Sequence, residues 1–384
     1  MTTLLNRRQW LKAAGSTVAV AALAPTGRLL GQTTPAAPAA PAPAAAPRRV
    51  PVAPGLIRLN YNENPFGPAP SAKAAMRAAA DIACRYADAE ERELLDLIAR
   101  REGCRPQQIV LGAGSGEILD VAGFHFGYDH GEIVAADPSY LALLNAAGRV
   151  GGKAVRVPLN ARLEHDLPAM AAAVNSRTAC IYLVNPNNPT GTVCDAAELK
   201  AFVRAQAERT TVFIDEAYLE LSDDFAGRTC APLAVEGRNV VVARTFSKIF
   251  GMAGMRLGYA IMPEKLATSL RARMTGSLSI VTIAAASASL RDEAFVAETR
   301  GKIAAGRDAL VGVVKELGRT CAVPQGNFVF FRTGMPAPEF IAKMRAQGIE
   351  VGRPFPPMLD WARVTIGLPD EMEKCHRALR AVLA

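Results

Sequence analysis

A lysine that follows an apolar strand pattern is the residue best suited to covalent chemistry in this sequence. Lys248 lies shortly after the apolar stretch Val240–Ala243. A lysine at the end of a buried strand can lose its hydration, which lowers its pKa and makes the amine nucleophilic. Nearby hydroxyl and guanidinium groups, those of Thr245, Ser247 and Arg256, suit a phosphate dianion. Taken alone, a Ser-Lys pair beside a loop is more often a solvated surface feature.

Two other apolar strand patterns also end in polar residues. The run Asn185–Gly191 follows one of them, and Asp215 and Tyr218 follow the other. Ligands of open α/β sheets bind at the carboxyl ends of strands. A carboxylate buried at Asp215 would need a positive or hydrogen-bond-donating partner, and a protonated pyridine nitrogen is such a partner. Tight turns and helix caps use the same residue types, so each run also has an ordinary structural explanation.

A glycine-rich run, Gly112–Glu117, lies between a strand pattern and a helix pattern. Free backbone N–H groups and the helix dipole at such a position favour a phosphate. The run is not a dinucleotide-binding fingerprint, because the next glycine after Gly114 is Gly116. It also lacks the closing Gly-Lys-Ser or Gly-Lys-Thr of a Walker A loop. The sequence therefore disfavours a Rossmann-type cofactor site.

The elements that must position these residues alternate in type along the chain. Apolar strand patterns separated by helix patterns predict a mostly parallel sheet with helices on both faces. The expected strands are Ile109–Leu111, Ile133–Ala136, Ala179–Val184, Val212–Ile214, Val240–Ala243 and Leu257–Ile261. The expected helices between them are Glu117–Phe126, Tyr140–Val150 and Ala196–Arg209. A long helix, Ala294–Leu317, precedes a second pattern with strands Phe328–Phe331 and Ala362–Ile366 and helices Pro338–Gln347 and Asp370–Leu383.

These patterns divide the chain into five expected segments. We predict a signal region (1–32), an Ala/Pro-rich tether (33–54), an N-terminal arm (55–75), a large α/β domain (76–290) and a smaller C-terminal α+β domain (291–384). The tether is expected to be extended and semi-rigid, since it is mostly Ala and Pro without an apolar period.

The N-terminus has the layout of an export signal. The pair Arg7-Arg8 stands just before Trp10 and Lys12, and an apolar run too short to span a bilayer follows. This arrangement resembles a twin-arginine signal, which implies the twin-arginine translocation machinery as a partner and a periplasmic or exported protein. That route carries folded, cofactor-loaded proteins. A basic amphipathic or disordered tail is the alternative interpretation.

Charge and cysteine content exclude several classes of protein. The formal charge is +8, but residues 1–50 hold six basic residues and no acidic one, so the remainder carries +2. Nucleic-acid binding thereby loses its compositional support. The seven cysteines are scattered without a CxxC pair, which predicts neither a metal site nor a disulfide framework. No stretch is long and apolar enough to predict a permanent membrane span.

The four features occur in one chain in the order phosphate loop, Asn-rich loop, strand-end Asp, and Ser-Lys with a following Arg. From Leu56 to the C-terminus, this chain resembles the fold-type I class I/II aminotransferases that depend on pyridoxal 5'-phosphate (PLP). Within that family it is most similar to the histidinol-phosphate aminotransferase group. Further matching motifs are Leu59–Gly67, Arg85-Tyr86, Gly326–Phe328 and Arg363–Gly367. The resemblance implies a large domain whose mostly parallel sheet is sandwiched by helices, and a smaller C-terminal α+β domain.

The resemblance also implies roles for the residues around PLP. Lys248 would hold PLP as a Schiff base, and Asp215 would pair with the pyridine nitrogen. Asn188 and Tyr218 would hydrogen-bond the ring oxygen, and Tyr140 would stack on the ring. As catalytic residues, Lys248, Asp215 and Tyr218 would make amino transfer possible, with the freed Lys248 as the general base.

The resemblance assigns the two ends of the site to separate residues. The phosphate would be held by Ser115, Gly116, Thr245, Ser247 and Arg256, with Tyr86 reaching in from the partner subunit of a homodimer. The substrate would contact Tyr61 and Asn188, and Arg363 would clamp its anionic end, because a bidentate guanidinium suits a carboxylate.

The sequence departs from the family pattern at three places. Ala87 stands where the group usually has proline, and Gly116 replaces a usual aspartate. The segment Val351–Pro357 is shorter and richer in proline than its usual counterpart. That segment helps to shape the substrate pocket, so the resemblance leaves the substrate open.

The expected activity is amino transfer between an amino acid, or an amino-acid-like amine, and a 2-oxo acid. Two alternatives stay open at this point. The first is a PLP-dependent decarboxylase or lyase of the same fold, because the fold does not decide which substrate bond is broken. The second is an exported binding protein that kept the fold without the chemistry.

Overall fold

The structure, a computed structural model, describes residues 55–384. The predicted signal region and tether, 1–54, lie outside the described residues. The strands are β1 (Ile57–Arg58), β2 (Ile109–Gly112), β3 (Glu132–Asp137), β4 (Lys153–Pro158), β5 (Thr178–Val184), β6 (Thr211–Asp215), β7 (Val240–Thr245), β8 (Gly258–Ile261), β9 (Phe328–Arg332), β10 (Ile349–Glu350) and β11 (Trp361–Thr365).

Helices occupy most of the remaining chain. They are α1 (Pro70–Ala80), α2 (Asp88–Glu102), α3 (Ser115–Gly127), α4 (Ala142–Arg149), α5 (Leu167–Ala173), α6 (Ala196–Ala207), α7 (Phe225–Arg228), α8 (Ala231–Val235), α9 (Glu264–Arg271), α10 (Ile280–Arg291), α11 (Glu293–Glu316), α12 (Ala337–Ala346) and α13 (Pro369–Leu383). None of the helices within 55–384 has both the length and the apolar character needed to cross a membrane.

Seven strands form the central sheet in the order β2-β8-β7-β6-β5-β3-β4. Strands β3 to β7 run parallel to one another, and β8 runs antiparallel to both β2 and β7. The predicted α/β fold with a mostly parallel sheet is therefore confirmed. The connection from β7 to β8, Phe246–Leu257, contains no α-helix, and β8 pairs antiparallel with β7.

Alternate side chains of the central strands enter two separate cores, one on each face of the sheet. In β6, Val212 and Ile214 belong to one core and Phe213 belongs to the other. In β7, Val242 and Val241 divide in the same way. Both faces are covered, which explains why these strands are continuous apolar runs in the sequence rather than alternating ones.

A third core lies in the C-terminal part of the chain. The antiparallel pair β9 and β11 contributes Val329, Phe331 and Val364 to it, and α13 contributes Leu379. Strand β1 of the predicted N-terminal arm pairs in parallel with β10, so the two ends of the described chain meet in this region. Helix α11 joins the regions, since its first half packs in a core of the central sheet and its second half packs in this one.

Several elements were not predicted from the sequence. The edge strand β4 has mostly exposed side chains, including Lys153, so it carries little of the apolar signal that marks the central strands. Helix α1 begins at Pro70, within the segment 55–75 expected to be an arm, and proline is well suited to the first turn of a helix. The predicted elements otherwise agree with the observed ones to within a few residues.

A buried ion cluster anchors the carboxyl edge of the central sheet. The Arg244 side chain, at the end of β7, is 1% exposed and lies 2.6 Å from Glu102 and 3.1 Å from Glu216. It also donates a hydrogen bond of 2.8 Å to Thr229 Oγ1. Glu102 accepts a further hydrogen bond of 2.7 Å from the Tyr259 hydroxyl. The cluster therefore ties α2, β7, β8 and the segment after β6 together by fully desolvated charges.

Replacing Arg244 is expected to destabilise the protein strongly. Arg244→Met leaves two buried carboxylates without their cation, which costs about 3–5 kcal/mol of unfolding free energy. The control Arg291→Met breaks an exposed pair with Glu93 and is expected to cost less than about 1 kcal/mol. Urea-induced unfolding followed by circular dichroism measures both. Equal losses in the two variants would show that the cluster does not hold the sheet edge.

Candidate active site

A cavity of about 910 Å³ opens at the carboxyl edge of the central sheet. Parallel register sets Val184, Asp215 and Ala243 side by side at the ends of β5, β6 and β7, so the loops that follow converge there. Every predicted site residue except one lines this cavity: Tyr61, Ser115, Gly116, Tyr140, Asn188, Asp215, Tyr218, Thr245, Ser247, Lys248, Arg256 and Arg363. The exception is Tyr86, whose 91% exposed side chain does not reach the cavity of its own chain.

Lys248 presents its amine to the middle of the cavity. Its Nζ donates a hydrogen bond of 2.9 Å to the Asn62 carbonyl and lies 5.2 Å from the centre of the Tyr218 ring. Burial lowers the pKa of Lys248 to about 7, and the positive charge of Arg363 acts in the same direction. A large fraction of the amine is therefore neutral and nucleophilic near neutral pH, as the sequence argument requires.

Asp215 is the last residue of β6, and it is 2% exposed. Its Oδ1 accepts a hydrogen bond of 3.1 Å from the backbone N–H of Ala217. Burial raises the pKa of Asp215 to about 6, although the Ala217 hydrogen bond and the charge of Lys248 both act against the rise. A carboxylate in this state gains from a cationic donor in the cavity, and a protonated pyridine nitrogen would be one.

One end of the cavity combines hydroxyl groups with a guanidinium. The Thr245 hydroxyl donates to Ser247 Oγ at 3.0 Å, and Arg256 Nη1 donates to the same Ser247 oxygen at 3.2 Å. All three side chains line the cavity. Together they supply the cationic and neutral donors that hold a phosphate dianion.

The start of α3 completes this end of the cavity. The helix begins at Ser115, and Ser115 and Gly116 line the cavity at its first turn, where backbone N–H groups lack partners within the helix. Gly114 precedes them with a φ of +81°, and a Cβ there would lie 2.2 Å from Arg256 Nη2. Glycine is therefore required for the helix start and the guanidinium to share one phosphate cradle.

The cavity also contains a buried guanidinium, that of Arg363. Arg363 in β11 is 7% exposed, and it donates hydrogen bonds to Asn188 Oδ1 and, at 2.8 Å, to the Asn60 carbonyl. Its Nε is buried without a hydrogen-bond partner among residues 55–384. Burial lowers the pKa of Arg363 to about 10. This environment favours an anionic ligand group beside Arg363.

Asn62 and Phe355 are among the residues that line the cavity but were not assigned a role from the sequence. Asn62 is buried, has a left-handed φ of 54° and hydrogen-bonds Tyr218, and Phe355 lies against Arg363 with 4.9 Å between guanidinium carbon and ring centre. Asn62 belongs to the motif Leu59–Gly67, which indicated a resemblance to the family but no role for Asn62 itself. An asparagine between Tyr61 and Glu63 in that motif was the available signal, since asparagine tolerates this backbone conformation.

Comparison with known proteins decides the family. The model of the family "Aminotransferase class I and II" matches residues 54–382. This chain belongs to that family. The aminotransferase is 34% identical to the histidinol-phosphate aminotransferase of Moorella thermoacetica, with 86% of each chain covered. It is 37% identical to that of Symbiobacterium thermophilum, which covers 85% of this chain and 91% of the relative.

Solved structures agree with this assignment. The aminotransferase superposes on a histidinol-phosphate aminotransferase of Sinorhizobium meliloti in complex with PLP, with a TM-score of 0.76 and 30% identity over 85% of this chain and 90% of that chain. A putative histidinol-phosphate aminotransferase from Erwinia carotovora gives a TM-score of 0.81 with 31% identity, over 85% and 95% of the two chains. This aminotransferase is therefore a PLP-dependent enzyme that transfers amino groups between amino acids and 2-oxo acids.

The residues around the cavity fit PLP in their chemistry. The cradle at Gly114 and Arg256 suits the phosphate, and the raised pKa of Asp215 suits a pyridinium partner. The lowered pKa of Lys248 suits an amine that reacts with an aldehyde. The donor set thus matches the three functional parts of the cofactor.

The raised pKa of Asp215 predicts a pH-dependent stability in the cofactor-free protein. The folded protein keeps a proton on Asp215 up to about pH 6, whereas the unfolded chain releases it near pH 3.8. Stability is therefore lost as pH rises through this window, and Asp215→Asn removes that loss. The unfolding free energy of the variant minus that of the wild type should grow from about pH 4 to 6, by up to about 3 kcal/mol. A difference independent of pH, measured by urea unfolding, would contradict the burial argument.

Proposed function

We propose that this aminotransferase attaches PLP at Lys248 and accepts amines and 2-oxo acids that carry an anionic end. The observation that carries the proposal is the presence of four groups in one cavity. The Lys248 amine, the Asp215 carboxylate, the Arg363 guanidinium and the phosphate cradle all line it. Lys248 is the one lysine among the residues that line the cavity, and burial lowers its pKa to about 7.

When bound, PLP supplies an electron sink that stabilises the carbanion left after the α-carbon of the substrate loses its proton. The Asp215 carboxylate would hold a proton on the ring nitrogen through a buried ion pair. Lys248 would attach the cofactor and, when free, would be the base that takes the α-proton, because its lowered pKa would leave it unprotonated for that task. Asn188 and Tyr218 also line the cavity, where the Asn188 amide and the Tyr218 hydroxyl would donate hydrogen bonds to the ring oxygen of the cofactor.

Arg363 is proposed to bind the anionic end of the substrate. It is fixed from two sides by Asn188 and Asn60, so its guanidinium plane is preorganised before the substrate arrives. A carboxylate or a phosphate would satisfy the N–H groups that face the cavity. The relatives are named for histidinol phosphate, an amine that carries such an anion, and this amine is one candidate for the present chain.

Decarboxylation is the rival reaction for the same cofactor. The family match and the aminotransferase relatives favour amino transfer, and no feature of the cavity favours loss of carbon dioxide. A non-catalytic binding role is also disfavoured, because it would give no reason to desolvate Lys248 beside Asp215.

The test is an absorption spectrum of PLP-loaded protein before and after addition of L-amino acids and histidinol phosphate. We expect one donor to abolish the visible band, because the amine form of the cofactor no longer absorbs there.

The Lys248→Ala variant should lack the absorption band of the attached cofactor, and its turnover should fall by at least about a thousandfold. Both effects are expected because the substitution removes the attachment point and the general base together. The control Lys265→Ala alters an exposed lysine of α9 and should match the wild type. Turnover near the wild-type value in Lys248→Ala would rule out the proposal.

A homodimer is part of the proposed function. Tyr86 is 91% exposed and lies outside the cavity of its own chain, so it could complete a phosphate site only in a second copy. The twofold symmetric contact common among soluble oligomers would place it there. The mass of the purified protein in solution and its rate of amino transfer test this point together. A monomer that transfers amino groups at the full rate would exclude a role for Tyr86.

Export by the twin-arginine route is proposed from the sequence alone, since Arg7 and Arg8 lie outside the described residues. The support is the arginine pair before Trp10 and the short apolar run behind it. Changing Arg7 and Arg8 to Lys should retain the full-length protein inside the cell, as detected by fractionation and immunoblotting. Unchanged export of the double variant would show that another signal is used.

A further inference from the structure

Asn62 lines the cavity and forms hydrogen bonds with four residues around it, Tyr218, Lys248, Asn327 and Thr365. It is 1% exposed and lies between β1 and α1 with a left-handed φ of 54°, which asparagine tolerates better than most residues. Its backbone N–H donates to Thr365 Oγ1 at 3.0 Å, and its carbonyl accepts from Lys248 Nζ at 2.9 Å and Asn327 Nδ2 at 3.0 Å. Hydrogen bonds on both sides hold this uncommon conformation in place.

The side-chain amide of Asn62 has a defined orientation. Its Oδ1 accepts a hydrogen bond of 3.1 Å from the Thr365 hydroxyl, whose oxygen already accepts the Asn62 backbone N–H. The opposite orientation would leave the Thr365 hydrogen without an acceptor in the described part of the chain. The Nδ2 group therefore faces Tyr218 and donates to its hydroxyl oxygen at 3.0 Å.

This hydrogen bond determines whether the Tyr218 hydroxyl can donate a hydrogen bond into the cavity. A phenol oxygen that accepts from Asn62 keeps its own hydrogen free for a different acceptor. The Tyr218 ring is buried and packs edge-on against Phe328 at 5.1 Å, so the hydroxyl cannot swing away from the cavity that it lines. Burial raises the pKa of Tyr218, and the hydrogen bond from Asn62 acts in the opposite direction.

We propose that Asn62 is a positioning residue that makes Tyr218 a hydrogen-bond donor toward the bound cofactor. The inference rests on the proposed PLP site and adds a residue that fixes the polarity of one of its groups. Asn62 does so with its amide, whereas its backbone carbonyl separately holds the Lys248 amine. The two contributions can therefore be separated by substitution.

Three variants separate the amide from the backbone. Asn62→Asp keeps the shape but replaces the donor by an acceptor, so Tyr218 donates to the new carboxylate and its proton is withdrawn from the cavity. Asn62→Gly deletes the amide and still permits the left-handed backbone that presents the carbonyl to Lys248. Asn64→Asp is the matched control, because Asn64 is also a buried asparagine of this arm but bonds only backbone groups, those of Ile249 and Phe66.

The first measurement is the pH at which PLP-loaded protein loses half of its protonated visible band. Loss of a hydrogen bond to the ring oxygen disfavours the deprotonated form, so the midpoint should rise in both Asn62 variants. We expect a rise of about one pH unit, or tenfold in proton affinity, for Asn62→Asp, and a smaller rise for Asn62→Gly. The midpoint of Asn64→Asp should stay at the wild-type value. If Asn62→Asp does not fold, Asn62→Gly decides, and an unchanged midpoint would overturn the proposal.

The second measurement needs no cofactor, so it remains informative if the proposed PLP attachment is wrong. In a double-mutant cycle on cofactor-free protein, Asn62→Gly and Tyr218→Phe remove the same hydrogen bond, so their losses in Tm should be less than additive. The pair Asn64→Gly and Tyr218→Phe should be additive. Additive losses for the Asn62 pair would show that the amide does not bond Tyr218. A wild-type protein without any visible band would instead refute the attachment at Lys248 and leave the outcome of this cycle standing.

Discussion

Burial of charge at the carboxyl edge of the central sheet is the constraint on which the rest of the structure depends. Arg244 is fully desolvated there, and it is compensated by Glu102 and Glu216 at short distances. Close to Arg244 and Glu216 in the sequence, the charges of Lys248 and Asp215 are compensated less completely. Burial lowers the pKa of Lys248 and raises that of Asp215, and both shifts favour the neutral form. The Arg244 cluster thus lies beside a reactive pair whose burial is only partly offset by hydrogen bonds from the protein, which favours binding of a ligand that completes the compensation.

The topology explains why these groups meet. Strands β5, β6 and β7 are parallel and in register, so the residues that follow them share one edge even though the chain returns through helices between the strands. The antiparallel strand β8 then returns from the Lys248 loop and brings Gly258 against the start of α3. This reversal places Arg256 beside Gly114, and the phosphate cradle results from two distant segments.

Much of this arrangement could be predicted because the signal was local. The continuous apolar strands, the glycine-rich run before α3 and the polar strand ends are each contiguous, and the residues predicted from them line one cavity. The family resemblance, not a local pattern, implied Tyr61, Tyr140, Arg363 and Tyr86, and of these four Tyr86 does not line the cavity. Asn62 could not be found in this way, since its partner Tyr218 is 156 positions away and only the folded backbone brings them together. The edge strand β4 was missed because most of its side chains are exposed, and an exposed strand needs no apolar pattern.

The segment Val351–Pro357, which departs from the family pattern, contributes to the lining of the cavity beside Arg363. Phe355 of Val351–Pro357 lies 4.7 Å from the Arg353 guanidinium carbon and 4.9 Å from that of Arg363, so one ring packs against two cations. After burial, the charge of Arg353 is a further cause of the lowered pKa of Arg363. An anionic substrate group relieves both the desolvation and the repulsion, which makes charge the first requirement for binding at this end. Phe355 lies outside the motifs that identify the family, and its contact with Arg363 makes it the residue expected to limit the space beside that anion.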